Sequence, residues 1–145
     1  PVPRVARHAS AGSPGAYAAA RMNDPALEAI VNGLPKKVIE KALNVVDHIT
    51  GGKALSVYTQ VAVDMLRDGG VITGPKLVEA LKTASKKGGG TGYSEGTARS
   101  QAQQQMTLMA RLGIARPGRD GGLVADPESP IWQRLSGEVP LAAAA

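Results

Sequence analysis

The chain has 145 residues, a formal net charge of +5 at pH 7, and neither Cys nor Phe. Without Cys, disulfide bonds and thiolate metal sites are excluded, and the cytoplasm is a compatible location. No apolar run approaches the ~20 residues of a membrane-spanning helix, so we expect no membrane partner, and the length fits one domain with an aliphatic core.

The first 24 residues are rich in Ala, Gly, Pro, Ser and Arg. They lack the continuous apolar segment of a signal peptide. This composition predicts a flexible N-terminal arm over residues 1–24.

Two amphipathic segments follow the arm. Residues 25–32 form a short predicted helix that begins at Asp24-Pro25 and ends at Gly33. The stronger pattern covers residues 35–50, and its inward residues are Val38, Ala42, Val45, Val46 and Ile49. This helix either completes the domain core, which we favour because small domains need every apolar stripe, or mediates self-association into a dimer.

Two further helices precede a glycine-rich connector. Residues 53–68 carry apolar side chains at i, i+3, i+4 and i+7 spacing. A short β-branched run leads to the second helix, residues 75–85, for which Thr73 or Gly74 is the expected cap. The connector, residues 86–93, contains three consecutive glycines, each of which costs a helix ~1 kcal/mol, so we expect it to be flexible.

A third predicted helix begins after the cap residue Ser94 and continues to Leu112. Its inward stripe consists of Ala98, Ala102, Gln105 or Met106, Met109 and Leu112. The opposite face carries Ser100, Gln103, Gln104, Thr107 and Arg111, with Arg99 beside it. Amide and hydroxyl groups both donate and accept hydrogen bonds, and carboxylates are nearly absent here. Such a face suits the edges of bases or phosphates.

A β-hairpin is predicted after the third helix. Two short apolar runs, residues 114–115 and 123–124, flank a Pro/Gly/Arg segment that contains Asp120-Gly121. Asp-Gly between two such runs is a strong local signal for a hairpin turn. We expect Arg116 and Arg119 at the tip. Beyond the hairpin, a C-terminal extension carries Trp132, which we expect to pack on the hairpin or the first helix.

In this order, the strings ITGPKLVEAL and SEGTARSQAQQQMTLMARLGIARPGRDGGLV resemble the winged helix-turn-helix superfamily of DNA-binding domains. The resemblance covers residues 53–126. It implies a mainly α fold with a small β-hairpin, here a winged helix-turn-helix with an additional N-terminal helix and flexible arms. The implied divisions are residues 1–24, 25–126 and 127–145. It also implies that the third helix binds the major groove of double-stranded DNA.

The charge distribution is consistent with a DNA partner. Residues 86–119 hold six basic residues and one acidic residue, whereas residues 120–145 hold one basic and four acidic residues. Clustered cations neutralise phosphates, although a basic segment can also simply keep a small domain soluble. We expect the base-facing residues to be Ser94, Glu95, Arg99, Ser100, Gln103 and Gln104, and the phosphate-binding residues to be Lys86, Lys87, Arg111, Arg116 and Arg119.

Nothing in the sequence predicts catalysis, a metal or a cofactor. Asp47 and His48 are adjacent on a helix and therefore point apart, so they do not form a dyad. No His, Asp and Glu residues have the spacing of metal ligands. The glycine run in residues 88–96 lacks the Lys-Ser/Thr of a nucleotide-binding loop and does not follow a strand.

The favoured hypothesis is a DNA-binding module that serves a transcriptional regulator or a replication, plasmid or phage maintenance factor. The alternative is a structural subunit of a viral or other macromolecular assembly. In that alternative, a winged-helix-like fold packs on protein and the arms link neighbouring subunits.

Overall fold

The computed structural model describes residues 12–84 and 92–141. Expectations for residues 1–11, for Lys86 and Lys87 and for the terminal alanines therefore lie outside the described ranges. Seven helices and one two-stranded antiparallel sheet make up the regular structure of the described residues. The expected class, mainly α with a small β-hairpin, is confirmed.

The elements follow the predicted order, with one extra helix at each end. The helices are α1 (Pro14–Met22), α2 (Ala26–Asn32), α3 (Lys36–Gly51), α4 (Val57–Arg67), α5 (Gly74–Thr83), α6 (Glu95–Arg111) and α7 (Pro130–Leu135). The strands are β1 (Ala115–Pro117) and β2 (Leu123–Ala125), which a 3-10 turn at Arg119–Gly121 connects.

Residues 14–22 belong to the predicted flexible N-terminal arm, but they form helix α1 and pack on the rest of the domain. The backbone N–H of Gly15 donates to Asn32 Oδ1 at 2.8 Å, and Ala18 is fully buried. A Cβ at position 15 would collide with the carbonyl oxygen of Glu28, so glycine allows α1 to approach α2 closely. Tyr17 Oη also donates to Asp47 Oδ1 at 2.6 Å. These contacts are tertiary, and composition alone does not reveal them.

The apolar stripe of α3 lies in the core of the chain itself. All five of its predicted inward residues are at most 2% exposed: Val38, Ala42, Val45, Val46 and Ile49. The favoured alternative, a core helix, is therefore confirmed. Self-association through this stripe loses its basis, since the stripe offers no exposed apolar surface to a second copy.

Helix α4 begins at Val57 and not at residue 53, and Asn44 of α3 explains the difference. The Asn44 side chain accepts from the backbone N–H of Ser56 at 2.7 Å and donates to the carbonyl of Ala54 at 3.1 Å. Both backbone groups are thereby satisfied outside a helix, so the segment before Val57 stays extended.

Helices α5 and α6 pack against each other, and backbone hydrogen bonds join the two ends of the connector between them. Ala84 accepts a hydrogen bond from the N–H of Gly92 at 2.7 Å, and Leu81 accepts from the N–H of Tyr93 at 3.1 Å. Gly92 has a φ of 78°, a left-handed conformation that favours glycine. The length of the connector therefore does not separate the two helices.

The hairpin is held by the segment that precedes α5. Within the hairpin, β1 and β2 pair Arg116 with Val124. Ile72 forms an antiparallel bridge to Leu123, with the two N–H···O hydrogen bonds at 2.8 and 2.9 Å. Arg119 lies in the connecting turn as expected, but Arg116 lies in strand β1 and not at the tip, because the turn begins only at Gly118.

One polar pair lies inside the core between α4 and α6. Thr59 and Gln105 are both fully buried, and Gln105 Nε2 donates to Thr59 Oγ1 at 3.0 Å. Gln105 Oε1 has no hydrogen-bond partner among the described residues. The core is otherwise aliphatic and also includes Trp132 of α7, which is 5% exposed. Across residues 12–84 and 92–141, no helix is both long and apolar enough to span a bilayer.

Candidate nucleic-acid interface

Helix α6 buries one side and exposes the other along its whole length. Its buried residues are Ala98, Ala102, Gln105, Leu108 and Met109. Its solvent-facing residues, which we call the α6 stripe, are Gly96, Arg99, Ser100, Gln103, Thr107, Ala110 and Arg111; Thr107 is half-buried and the others are exposed. Gln104 is half-buried at the edge of the stripe, and its Nε2 donates to Ser100 Oγ at 3.3 Å.

The first turn of α6 is an ion-pair cluster. Glu95 Oε2 accepts from Arg99 Nε at 2.7 Å, and Glu95 Oε1 lies 3.0 Å from Lys82 Nζ of α5. The hydrogen bonds from Arg99 and Lys82 hold the pKa of Glu95 below its usual value, and the bond to Glu95 raises the pKa of Lys82. Glu95 is the only carboxylate of α6, and two cations compensate its charge.

Ser94 also acts at the start of α6. Its Oγ accepts from the backbone N–H of Thr97 at 3.3 Å and lies 3.1 Å from Thr97 Oγ1. Both predicted base-facing residues at this end, Ser94 and Glu95, therefore have structural partners. Ser100 and Gln103, by contrast, are exposed on the α6 stripe, while Arg99 is 74% exposed despite its ion pair.

An open groove of about 560 Å³ lies between α5 and α6. We call it the α5–α6 groove. Its lining includes the apolar side chains of Val78, Ala102 and Met106 and the exposed side chains of Arg99 and Gln103. Gly74 and Pro75 at the start of α5 also line it.

The hairpin turn approaches the same end of α5. Gly122 lies so close to Val71 and Ile72 that a Cβ at position 122 would collide with the Val71 side chain and lie 2.7 Å from the carbonyl oxygen of Ile72. Thr73, the next residue, caps α5 through its Oγ1, which accepts from Lys76 N at 3.2 Å. The turn that carries Arg119 is thus anchored beside the start of α5, and both Arg116 and Arg119 are exposed.

A second depression of about 310 Å³ lies on the other flank of α6, against the first turn of α3. We call it the lysine cleft. One wall is formed by Pro35, Lys36, Lys37 and Val38, and the other by Gln103, Gln104 and Thr107. Gln103 lines both depressions, so it lies between the two flanks of α6.

The predicted phosphate-binding residues do not form one cluster. Arg111 is exposed at the C-terminal end of α6, where its Nη2 would lie 3.4 Å from a Cβ at Gly33. Glu95 is at the opposite end of this 17-residue helix, about 25 Å away. Arg116 and Arg119 belong to the hairpin, and Lys86 and Lys87 lie outside the described residues.

Sequence reasoning missed Lys36 and Lys37, because it treated their helix only as a core or dimer element. A signal was present: they occupy the first turn of a helix that has no acidic residue there. Cations at a helix N-terminus oppose the helix dipole, so two consecutive lysines at this position are unfavourable for the isolated helix.

Asp47 and His48 engage different partners. Asp47 accepts from Tyr17, and this hydrogen bond raises the pKa of the Tyr17 hydroxyl; His48 Nδ1 lies 2.8 Å from the carbonyl of Lys53. Within the described part of the chain, no group of three or more His, Cys, Asp or Glu residues is arranged to hold a metal ion.

Comparison of the chain with protein-family models, curated proteins and solved structures gives no match.

Proposed function

We propose that the chain is a double-stranded DNA-binding module of the winged-helix type, in which the α6 stripe enters the major groove. The order of elements from α4 to β2, together with the Ile72–Leu123 bridge, supports the winged-helix arrangement. The module would belong to a transcriptional regulator or to a replication or maintenance factor in the cytoplasm.

The observation that carries the proposal is the chemistry of the α6 stripe. Over 17 residues, α6 exposes amide, hydroxyl and guanidinium groups, and its single carboxylate is bound by Lys82 and Arg99. A helix that needs only to be solvated has no reason to exclude carboxylates. Base edges and phosphates, by contrast, require hydrogen-bonding groups without uncompensated negative charge.

The proposal assigns a role to each group of residues. Arg99, Ser100, Gln103 and Gln104 contact base edges, since guanidinium and amide groups form bidentate bonds to guanine and adenine. Ser94 and Glu95 hold the start of α6 instead. Arg116 and Arg119 bind phosphates from the hairpin, and Lys86 and Lys87 contribute further charge. Self-association is not part of the proposal, because the α3 stripe is buried.

Equilibrium binding to random-sequence duplex DNA across a salt titration tests the proposal. We expect micromolar binding whose logarithm falls steeply with the logarithm of salt concentration. In Arg116→Ala/Arg119→Ala, the slope should be smaller by about 2, because each lost phosphate contact removes about one unit. The control is Lys53→Ala, just beyond the C-terminal end of α3, which should leave the slope unchanged.

Selection of preferred sequences from a randomised duplex pool tests the role of the α6 stripe. Arg99→Ala/Gln103→Ala should relax the preference, with a loss of about 1–3 kcal/mol per bidentate contact. Absence of binding at low salt would overturn the proposal and favour a protein-assembly role. Sedimentation of the purified chain would then measure whether it self-assembles.

A further inference from the structure

The lysine cleft has two walls of complementary chemistry. The α3 wall presents Lys36 and Lys37, both exposed, and the α6 wall presents two amides and a hydroxyl from Gln103, Gln104 and Thr107. Its volume of about 310 Å³ corresponds to about ten water molecules, so a phosphate with its sugar can enter.

The cations of the cleft differ from Lys82 and Arg99 on the α5 flank of α6. Lys82 and Arg99 are engaged by Glu95. Lys36 and Lys37 make no ion pair with any described residue, although Glu40 lies only one helical turn away. Their charge is therefore available to a ligand.

The opposite wall also has unused hydrogen-bonding capacity. Gln104 Oε1 is shielded from solvent and has no hydrogen-bond partner among the described residues, while its Nε2 donates to Ser100. Gln103 is exposed at the mouth of the cleft. The Gln103 amide can therefore donate to a phosphate oxygen, whereas Gln104 Oε1 is shielded from an incoming ligand.

The position of the two lysines is unfavourable for folding. They occupy the first turn of the 16-residue helix α3, where no acidic residue and no side-chain cap compensate the helix dipole. Pro35 immediately precedes the helix and fixes where it begins, so Lys36 and Lys37 remain in its first turn. A bound anion would offset the unfavourable interaction between their charges and the helix dipole.

We propose that the lysine cleft binds the sugar–phosphate backbone of double-stranded DNA on the flank of α6 that faces α3. This inference rests on the proposed function and adds the start of α3, which lies outside the segment that resembles a winged helix, to the contact surface. One DNA strand would lie along α3 while Gln103, which lines both the cleft and the α5–α6 groove, contacts the bases. Lys36 and Lys37 bind phosphates without reading sequence.

Three variants measured by salt titration on random-sequence duplex DNA test the inference. Lys36→Gln/Lys37→Gln should reduce the salt slope by about 2. Lys36→Arg/Lys37→Arg, which keeps both charges, should retain the slope. Lys53→Gln, just beyond the C-terminal end of α3, should also retain it. The first variant should melt no lower than the parent chain, because it removes an unfavourable charge–dipole interaction.

Cross-linking supplies a readout independent of affinity. Because the chain contains no Cys, Lys37→Cys and Lys53→Cys each provide one unique attachment point for a thiol-reactive photo-cross-linker. Position 37 should cross-link to duplex DNA and position 53 should not. The inference is overturned by one combination of results. The parent chain binds DNA and Arg116→Ala/Arg119→Ala weakens the binding, but Lys36→Gln/Lys37→Gln keeps the salt slope of the parent and position 37 does not cross-link to DNA. If the parent chain does not bind DNA at all, the proposed function fails first.

Discussion

The two flanks of α6 use their charges differently. On the α5 flank, Lys82 and Arg99 share one carboxylate, Glu95, and the hairpin is anchored beside the start of α5. On the α3 flank, Lys36 and Lys37 form no ion pair with any described residue and oppose the dipole of their own helix. The first flank therefore holds its cations in ion pairs, whereas the second leaves its cations unpaired, at some cost to helix α3. The number of basic residues in a segment therefore says little about which of them can bind a partner.

The largest expected effect comes from detaching the hairpin from the α5 flank. In Gly122→Ala, the new methyl group would collide with Val71 and the carbonyl of Ile72, so the bridge to Leu123 must shift. We expect the free energy of unfolding to fall by about 1–3 kcal/mol, as in other overpacked sites. Urea denaturation measures this, and Gly96→Ala, where nothing lies within 4 Å of the new Cβ, serves as control. Equal stability of the two variants would show that the hairpin is not anchored there.

Reversing the charges of the α3 flank should raise stability. In Lys36→Glu/Lys37→Glu, two cations at the start of α3 become anions, and each favourable dipole interaction contributes about 0.3–1 kcal/mol. Thermal unfolding at low salt should therefore show a higher melting temperature, while DNA binding is lost. A lower melting temperature would mean that the lysines stabilise α3, and it would contradict the unfavourable charge–dipole interaction inferred for the α3 flank.

A change at Ser94 separates helix capping from DNA recognition. Ser94→Ala removes the acceptor for Thr97 N–H and should cost about 1 kcal/mol of stability. Sequence preference, measured by selection from the randomised pool, should stay the same, since Ser94 acts on α6 and not on bases. Altered preference with unchanged stability would restore Ser94 to the base-facing set.

The smallest stability effect is expected for Glu95→Gln, because its partners are exposed. The folded-state pKa of Glu95 is lowered by Arg99 and Lys82, so its contribution to stability is present at neutral pH and is lost as pH falls through that lowered pKa. Denaturant titrations should show the parent more stable at pH 7 and the two proteins converging in acid.

The same variant also tests the α5 flank. Glu95→Gln releases Arg99, whereas Lys82 keeps its ion pair with Glu79 at 3.5 Å, so DNA binding should become tighter and its salt slope steeper by about one unit. Unchanged binding would indicate that the released Arg99 does not reach a phosphate.

Local signals predicted much of this fold. Thr73 and Ser94 are N-caps as expected, and the hairpin pairs residues on either side of the glycine-rich turn. Each of these features depends on neighbouring residues, for which sequence patterns carry the information. The apolar stripe of α3 was equally clear, and its burial decided between a core and a dimer role.

Contacts between distant residues were not predictable in the same way. Helix α1 depends on Gly15 approaching α2, and the late start of α4 depends on Asn44 taking two backbone groups of another segment. Within the site, the sequence marked Gln103 and Gln104 but did not show that Lys36 and Lys37 lie across a cleft from them. Residues 36–37 and 103–104 are far apart in the sequence, so no local pattern indicates that they lie close together.

The buried pair of Thr59 and Gln105 has a consequence for which side chains α6 displays. This helix contains four glutamines, at positions 101, 103, 104 and 105, so its apolar pattern alone distinguishes its faces poorly. Rotating α6 about its own axis by one residue, about 100°, would put a different glutamine into the core in place of Gln105. Only Gln105 donates to the Thr59 hydroxyl, which comes from α4. The Thr59 hydroxyl therefore acts together with the buried apolar residues of α6 to favour one rotational position of this helix, and with it one choice of amides that face outward.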